Sequence, residues 1–296
     1  MFTLNRVVLS LLGVASAFAV QAQTGGTLAK MAETGSITLS YRESSVPFSY
    51  LDNAKPVGFS VEVCDRIVDE LKAKVKRSDL KIERMPVTSQ NRIPLVQNGT
   101  VDLECGSTTN NSARGEQVGF AVNYFYTGTR LMAKKTSGIK SLADLKGKKV
   151  ATTAGTTNFQ VLRKYFRDNN LDTEIITAKD HADGALLAEN GRVEAYAMDD
   201  ILLYGLVANS KAPADWVVTG EPLQVEPYAI MLRKNDPEFK KAVDDALVGL
   251  MKSGEFEKLY AKWFLNPIPP RNVPLNVPMS DELKANLKAF SDKPAT

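Results

Sequence analysis

The chain has 296 residues, including 37 Lys and Arg, 34 Asp and Glu, one His and two Cys, and its formal net charge is +3 at neutral pH. A charge so close to balance gives no reason to expect nucleic acid or an anionic membrane surface as a partner. A single histidine argues against a metal site, and no cofactor is expected.

The first segment has the pattern of a secretory signal peptide. Arg6 precedes an apolar run from Val7 to about Val20, and Val20-Gln21-Ala22 offers a small-residue cleavage site. The run is shorter than the ~20 residues of a membrane-spanning helix, and no basic stop-transfer segment follows it. The pattern predicts export, cleavage after about Ala22 and a soluble mature protein.

Strands and helices alternate from residue 36 onward, in two series. The first series predicts strands at 37–41, 81–87, 101–105, 120–124 and 128–134, with helices at 57–74 and 92–98. The second predicts strands at 149–153, 173–177, 193–198 and 216–218, with helices at 141–145, 157–167, 181–190 and 200–208.

The end of the chain adds a strand at 228–233 and helices at 237–253 and 256–264. The proline-rich stretch after Pro267 is expected to be an extended surface strap without regular structure. Alternating strands and helices favour open α/β sheets, and about 270 exported residues exceed one hydrophobic core, so two lobes are expected.

Cys64 falls on a predicted helix and Cys105 near a strand end, both among apolar residues. In an exported chain the two could form one disulfide or stay as two buried thiols. The sequence does not decide between these alternatives, because it does not fix the Cα separation.

Three arginines follow predicted strands in polar segments rich in hydroxyls and amides, namely Arg42, Arg92 and Arg114. In open α/β sheets, ligands bind beyond the carboxyl ends of the strands. An isolated arginine is most often a solvated surface charge, but three at strand ends are better explained by a shared anionic target. Arginine binds a carboxylate through two parallel, charge-assisted hydrogen bonds.

The second series offers complementary groups. Gly155-Thr156-Thr157 opens a helix whose backbone N–H groups suit a carboxylate, although a simple threonine N-cap is the alternative. Asp199 and Asp200 end a strand, and we interpret Asp199 as an ammonium ligand and Asp200 as the helix cap. Two carboxylates and one ammonium match three arginines and one aspartate, which is the charge pattern of an acidic amino acid.

The chain resembles the periplasmic solute-binding proteins of polar amino acid ABC importers, and within them the glutamate/aspartate-binding branch. The resemblance rests on "YRESSVPFSY", "TSQNRIPLVQNGTVDLECGSTTNNSAR", "LADLKGKKVATTAGTT", "MLRKNDPEFK" and "KWFLNPIPP", which span nearly the whole mature chain in family order. The second of these motifs is the most specific.

This resemblance implies a two-lobed type II periplasmic binding protein fold, with two open α/β sheets joined by two hinge strands. The expected division is a signal peptide at 1–22, a discontinuous first lobe at 23–125 plus 226–266, a second lobe at 126–225, and a proline-rich strap with a short helix at 267–296. The two crossings are expected near 126–129 and 221–228.

The resemblance also implies a role for each site residue. Arg114, Thr109 and Thr157 would hold the α-carboxylate of the ligand, while Ser107 and Asp199 would take its ammonium group. The remaining four would bind the side-chain carboxylate; they are Arg42, Ser89, Arg92 and His181.

The implied function is periplasmic capture of L-glutamate or L-aspartate by hinge closure and delivery to an inner-membrane ABC permease. A monomer and no catalysis are expected. The alternative is an enzyme on the same fold, similar to a cyclohexadienyl or arogenate dehydratase, which would need a general acid or base in the cleft.

Overall fold

The computed structural model describes residues 26–295, so the predicted signal peptide at 1–22 lies outside the described residues. Its strands are β1 Ser36–Tyr41, β2 Ser44–Ser45, β3 Ser49–Asp52, β4 Lys55–Val57, β5 Lys81–Pro86, β6 Leu103–Glu104, β7 Val118–Phe120, β8 Phe125–Lys134, β9 Lys149–Thr153, β10 Glu174–Ala178, β11 Ala195–Asp199, β12 Trp216–Tyr228, β13 Met231–Arg233, β14 Pro267–Ile268 and β15 Val273–Pro274.

The α-helices are α1 Thr27–Thr34, α2 Phe59–Lys74, α3 Arg92–Gln97, α4 Ser112–Gly115, α5 Thr157–Asp168, α6 His181–Glu189, α7 Asp200–Asn209, α8 Pro237–Ser253, α9 Glu255–Tyr260 and α10 Asp281–Ala289. Short 3₁₀ turns cover Lys135–Ser137, Leu142–Leu145 and Pro213–Asp215, and a π-helical turn, Ala261–Leu265, follows α9. No helix of the described part is long and apolar enough to cross a membrane.

Two five-stranded sheets carry the architecture. The first has the order β5-β1-β6-β13-β7, in which β5, β1 and β6 are parallel and β13 is antiparallel to both of its neighbours. The second has the order β10-β9-β11-β8-β12, in which β10, β9 and β11 are parallel and β8 is antiparallel to both β11 and β12. We call the parts built on these sheets the first lobe and the second lobe.

The chain passes twice between the sheets. The first passage lies between β7 and β8, and the second between β12 and β13. The start of β8 pairs with the end of β12, with Thr127 opposite Glu226 and Phe125 opposite Tyr228. The two connections therefore run side by side and arrive at the same edge of the first lobe.

An aromatic cluster packs against these connections. The ring of Phe48 lies 4.9 Å from that of Phe125, 5.2 Å from Tyr228 and 5.5 Å from Phe264, all in edge-to-face geometry. All four side chains are buried. Burial of such rings contributes a large apolar area, so the cluster fixes where both connections leave the first lobe.

Most predicted elements are present within one or two residues, and β9 and α8 match the predicted bounds. Several features differ. The helix α1 and the small sheet β2–β3–β4 were not predicted, β12 extends ten residues beyond the predicted end at 218, and the expected strand at 120–124 is replaced by β7 and the start of β8. The expected strand at 228–233 is shortened to β13, because Tyr228 belongs to β12. The tail after Pro267 is more regular than expected, since β14 pairs with β15.

Cys64 and Cys105 form a disulfide, with their Cα atoms 6.2 Å apart. The bond joins the middle of α2 to the residue that follows β6. Of the two alternatives that the sequence left open, a disulfide or two buried thiols, the structure has the disulfide.

Candidate functional site

A narrow cavity lies between the two sheets, and its walls are so close together that no water-sized sphere fits between them. Its walls come from both lobes; they are formed by Ser89, Arg92, Ser107, Thr109, Arg114, Thr156, Thr157, His181, Met198 and Asp199. The loops that carry these residues follow the carboxyl ends of the parallel strands β5, β6, β9, β10 and β11. This is the position at which open α/β sheets bind ligands.

Eight of the nine predicted site residues line this cavity, and Arg42 is the exception. The guanidinium of Arg42 donates from Nη2 to Asp180 Oδ1 at 2.7 Å and contacts His181 Nε2 at 3.3 Å. Arg42 is therefore not part of the cavity wall in this closed arrangement, because a carboxylate of the opposite lobe holds one end of its guanidinium. Its Nε and Nη1 have no partner, and direct contact of Arg42 with a ligand stays a prediction.

Arg92 projects from the start of α3 into the base of the cavity. It donates from Nη1 to Thr108 Oγ1 at 2.6 Å and to the Ser107 carbonyl at 3.3 Å. Thr108 in turn donates to Glu104 Oε2 at 2.5 Å. Burial, and next the charge of Arg114, lower the pKa of Arg92 to about 9, so it is still charged at neutral pH but in an environment that penalises the charge.

Arg114 is held by backbone oxygens from both lobes. It donates to the Thr109 carbonyl at 2.9 Å and, across the cavity, to the Gly155 carbonyl at 3.3 Å. Its short helix α4 is capped by Asn111, whose side chain accepts from the Arg114 backbone N–H. Burial lowers the pKa of Arg114, and the nearby carboxylate of Glu226 opposes that effect.

His181 is buried and contacts Thr153 Oγ1 through Nδ1 at 3.0 Å. Burial and the adjacent positive charge of Arg42 lower the pKa of His181 to about 3, so the ring is neutral. Since a guanidinium only donates, Nε2 accepts from Arg42 and the proton lies on Nδ1.

Asp199 and Glu226 place two carboxylates on the other side of the cavity. Asp199 accepts from Asn158 Nδ2 at 3.0 Å and from the hydroxyl of Tyr228. Glu226 Oε2 accepts from Thr109 Oγ1 at 2.8 Å and from Thr157 Oγ1 at 2.6 Å. Burial, and next the charge of Glu226, raise the pKa of Asp199 to about 7. A cation placed here would relieve that cost.

The capping prediction for the aspartate pair is wrong in one detail. Asp199 is the N-cap residue of α7, and Asp200 is its first helical residue. The carboxylate of Asp200 accepts from the Ile201 N–H and from Thr127 Oγ1, both at 2.7 Å. Asp200 therefore points away from the cavity, toward β8.

Sequence reasoning missed Glu226 as a partner of the predicted site and Met198 in the cavity wall, and it named Thr156 only as part of the helix start. Glu226 lies near the end of β12, in a stretch where glycine and prolines interrupt the strand pattern. Thr109 and Thr157 are 117 and 69 residues away from it. No local pattern in the sequence indicates such contacts. The one hint was that Glu226 lies within the second predicted crossing, at 221–228.

The cavity and the residues around it contain several buried polar atoms that lack a hydrogen-bond partner. Seven of the twelve buried side-chain nitrogens or oxygens that lack a partner in residues 26–295 belong to it. Five of them are donors, contributed by Arg42, Ser89, Arg92 and Ser107. Buried donors without acceptors are costly, and converging donors of this kind suit an anion.

The two lobes touch around the cavity. Besides the contacts of Arg42 and Arg114, the Ala182 N–H donates to Ser44 Oγ at 3.3 Å. Gly155 has a φ of +78° and lies so close to the first lobe that an added Cβ would be 2.8 Å from the Gln90 backbone. The structure is therefore a closed arrangement. Among the described residues, no group of three or more His, Cys, Asp or Glu side chains is placed to hold a metal ion.

Solved structures that match this fold include amino-acid-binding proteins. A mutant of ArgBP from T. maritima matches with a TM-score of 0.72 and 26% identity over 80% of this chain and 98% of that one. An ancestral arginine-binding protein bound to glutamine matches with a TM-score of 0.70 and 29% identity over 78% and 98%. The fold is that of the type II periplasmic amino-acid-binding proteins.

Residues 37–266 match the family model of bacterial extracellular solute-binding proteins, family 3, and the chain belongs to that family. It is 50% identical to the L-glutamate/L-aspartate-binding protein of Pseudomonas aeruginosa over 95% of this chain and 93% of that protein. It is 50% identical to the glutamate/aspartate import solute-binding protein of Salmonella typhimurium over 91% and 89%, and 48% identical to that of Escherichia coli over 95% and 93%.

Proposed function

We propose that this chain captures L-glutamate or L-aspartate outside the cytoplasm and delivers it to an ABC permease of the inner membrane. The observation that carries the proposal is the convergence of Arg92, Arg114 and, behind His181, Arg42 on one cavity whose opposite wall holds Asp199. The names of three relatives at 48–50% identity describe the same ligands.

The first-lobe side of the cavity suits the side-chain carboxylate of the ligand. Arg92 Nε and Ser89 Oγ are buried donors without partners, and both belong to the cavity wall. His181 completes this wall as a neutral ring, and Arg42 contributes its charge from behind that ring. In this arrangement His181 positions Arg42 by accepting from it at Nε2. His181 could donate to the ligand from Nε2 only as the other tautomer, with the proton on Nε2 instead of Nδ1.

Arg114, Thr109 and Thr157 suit the α-carboxylate, and Ser107 and Asp199 suit the ammonium group. The two threonine hydroxyls each carry one proton, and both now donate to Glu226. A ligand carboxylate that takes these donors must therefore displace Glu226. The displaced carboxylate of Glu226 would then face the ammonium group of the ligand, together with Asp199.

Closure of the two lobes is the proposed mechanism, a switching mode known for periplasmic binding proteins as a class. We place the hinges at the paired segments 126–129 and 221–228, with lobes at 23–125 plus 226–266 and at 126–225 and the strap at 267–296. The pairing of β8 with β12 at these positions supports the hinge assignment. The closed monomer would be the form that the permease recognises.

Selectivity for acids over amides follows from the cost of buried charge. Arginines in a closed, dry site are stabilised by a ligand carboxylate, whereas glutamine or asparagine leaves them without an anion. Removing one partner of a buried charge pair typically costs ~2–5 kcal/mol. The dehydratase interpretation finds no support in the names of the three relatives described above, which describe binding and import.

The test is calorimetric titration of the mature protein, unfolded and refolded to remove carried ligand, with glutamate, aspartate, glutamine and asparagine. Tight one-to-one binding of the two acids, with the amides at least a hundredfold weaker, is the expected result. Tight binding of an amide, or of neither acid, would mean that the arginines do not face a ligand carboxylate.

A further inference from the structure

The C-terminal segment follows the region that matches the family model, which ends at residue 266. It contains α10 and an extended stretch at 291–295. We call this stretch alone, which is the end of the 267–296 segment, the C-terminal strap. The family resemblance gives this strap no role, so its role has to be sought in its contacts.

The C-terminal strap pairs with the backbone of the loop that precedes α4. The Ala295 N–H donates to the Asn110 carbonyl at 2.9 Å, and the Ser112 N–H donates to the Ala295 carbonyl at 3.2 Å. Asn111 and Ala295 thus form a parallel β-bridge. The same loop is bridged to Tyr228 through Thr109, so the strap adds a second strand-like partner to it.

Buried asparagines complete the attachment. Asn110 Nδ2 donates to the Asp292 carbonyl at 2.8 Å, and Asn123 Nδ2 donates to the Lys293 carbonyl at 2.9 Å. The Asn123 N–H donates to the Ser291 carbonyl at 3.0 Å. Both asparagine side chains are at most 3% exposed, so the donor end of each side-chain bond is buried, while Asp292 and Lys293 on the strap are exposed.

The segments held in this way are those that build the cavity. Thr109 and Arg114 flank the paired residues 110–112, and the Asn110 N–H donates to the Pro227 carbonyl at 2.8 Å, next to Glu226. Asn123 lies in the first passage between the sheets. The strap therefore joins the loop from Thr109 to Arg114 to the first of the two connections between the lobes, and through Asn110 to the second.

We infer that the C-terminal strap is a positioning element of the ligand site, which holds the Thr109–Arg114 loop in its binding geometry. The inference rests on the proposed function for its affinity readout only. Without the strap, the 110–112 backbone loses two hydrogen bonds, the Asn110 side chain loses one, and Arg114 loses the fixed base of its helix. Ligand would then have to order the loop on binding, which weakens affinity and speeds release.

The test compares three variants of the full chain. The first ends after Phe290, the second is Ala295→Pro, which removes the donor to Asn110, and the third is the control Lys293→Ala, which keeps every backbone bond of the strap. Glutamate affinity and release rate are measured by titration and stopped flow. Hydrogen exchange of the amides at 110–115 is measured without ligand.

We expect the truncation to weaken glutamate binding at least tenfold, mainly through faster release, and to speed exchange at 110–115 more than elsewhere. Ala295→Pro should act in the same direction with a smaller effect, and Lys293→Ala should match the parent. A truncated protein that folds and keeps parental affinity and exchange overturns the inference. If truncation prevents folding, Ala295→Pro decides by the same criteria.

The exchange measurement separates this inference from the proposed function. If the full chain binds no acidic amino acid, the proposed function fails, while faster exchange at 110–115 in the variants still supports the strap. If the full chain binds glutamate and neither exchange nor affinity changes in Ala295→Pro and in the truncation, only the strap inference fails.

Discussion

Arg92 shows how a buried charge can be destabilising for the fold and useful for binding. Its side chain is only 3% exposed, and its nearest charges include two further arginines, so burial and repulsion both lower its pKa. Thr108 and Glu104 offset part of that cost through one chain of hydrogen bonds. A ligand carboxylate would provide the missing counter-charge.

Arg92→Ala should therefore weaken glutamate binding by ~2–5 kcal/mol, or about thirtyfold to several thousandfold, because the ligand carboxylate loses its charged partner. Glutamine binding should change much less. The unfolding midpoint of the ligand-free protein should stay within a few degrees of the parent, since an unfavourable buried charge leaves with the side chain. Titration and thermal unfolding measure both effects, and unchanged glutamate affinity would contradict the role of Arg92.

Asp199 is likewise a buried charge that destabilises the fold and is useful for binding, but its charge is negative. Its pKa is raised from 3.8 to about 7 in the folded protein. Between those two pH values the folded state holds a proton that the unfolded state has released, so this group lowers stability as pH rises from about 4 to about 7. Above pH 7 the loss is complete.

Asp199→Asn should accordingly stabilise the ligand-free protein at pH 8, by on the order of 2–4 kcal/mol, and leave it nearly unchanged at pH 4. An amide keeps the shape and can still accept from Asn158. The same variant should bind glutamate far more weakly, because the ammonium group loses its carboxylate. Urea unfolding at both pH values checks the first part; a variant less stable at pH 8 than the parent would refute it.

At the scale of elements, glycine, proline and capping residues mark where helices and strands begin and end. This explains why most element bounds could be predicted from the sequence. Pro237 begins α8 and Gly254 ends it in the left-handed conformation, so both bounds could be read from the sequence. By contrast, β12 continues through Gly220 and Pro222 because it pairs with β8 despite register shifts. Tertiary pairing of this kind overrides local pattern, and the sequence alone gives no measure of it.

The positions of the site side chains divide in the same way. Placing Arg92, Arg114 and Asp199 at one cavity needed only the rule about strand ends. The hydrogen bond from Arg42 to Asp180, and those from two threonines to Glu226, depend on residues brought together from different parts of the fold. These contacts decide which donors are available to a ligand, and no local sequence pattern predicts them.

The turn before α5 sets how closely the lobes approach. Gly155 adopts a φ of +78°, and a Cβ there would lie 2.8 Å from backbone atoms of Gln90 and Ser89. Contacts at that distance force a shift of the backbone, because no flexible side chain can move aside. Gly155→Ala should therefore favour an open arrangement and weaken glutamate binding at least tenfold.

Gly191→Ala is a matched control for this prediction. Gly191 also has a positive φ, +67°, but an added Cβ there meets no atom within 4 Å. Both variants carry a similar conformational penalty of about 1 kcal/mol, whereas only Gly155→Ala obstructs the interface between the lobes. Small-angle scattering with saturating glutamate should show a larger radius for Gly155→Ala. Equal affinities for the two variants would rule out the steric explanation.

For the molecule as a whole, stability and binding are supported by different contacts around the same strand end. The disulfide closes a separation of 41 residues between Cys64 and Cys105. A cross-link over such a loop stabilises a fold by about 4 kcal/mol in the chain-entropy model. The cavity loop that follows Cys105 has a second anchor, because the Gly106 carbonyl accepts from Ser60 Oγ at 2.9 Å and from the Tyr124 hydroxyl.

Replacing both cysteines by alanine should therefore lower the free energy of unfolding by ~2–4 kcal/mol and leave glutamate affinity within about threefold of the parent. The anchors at Gly106 hold Ser107 in place without the cross-link. Urea midpoints of the variant and of the parent, with and without reductant, measure the first effect. Reductant should shift only the parent. A large loss of affinity in the double variant would show instead that the disulfide itself positions the cavity loop, and that stability and binding are not separable at this strand end.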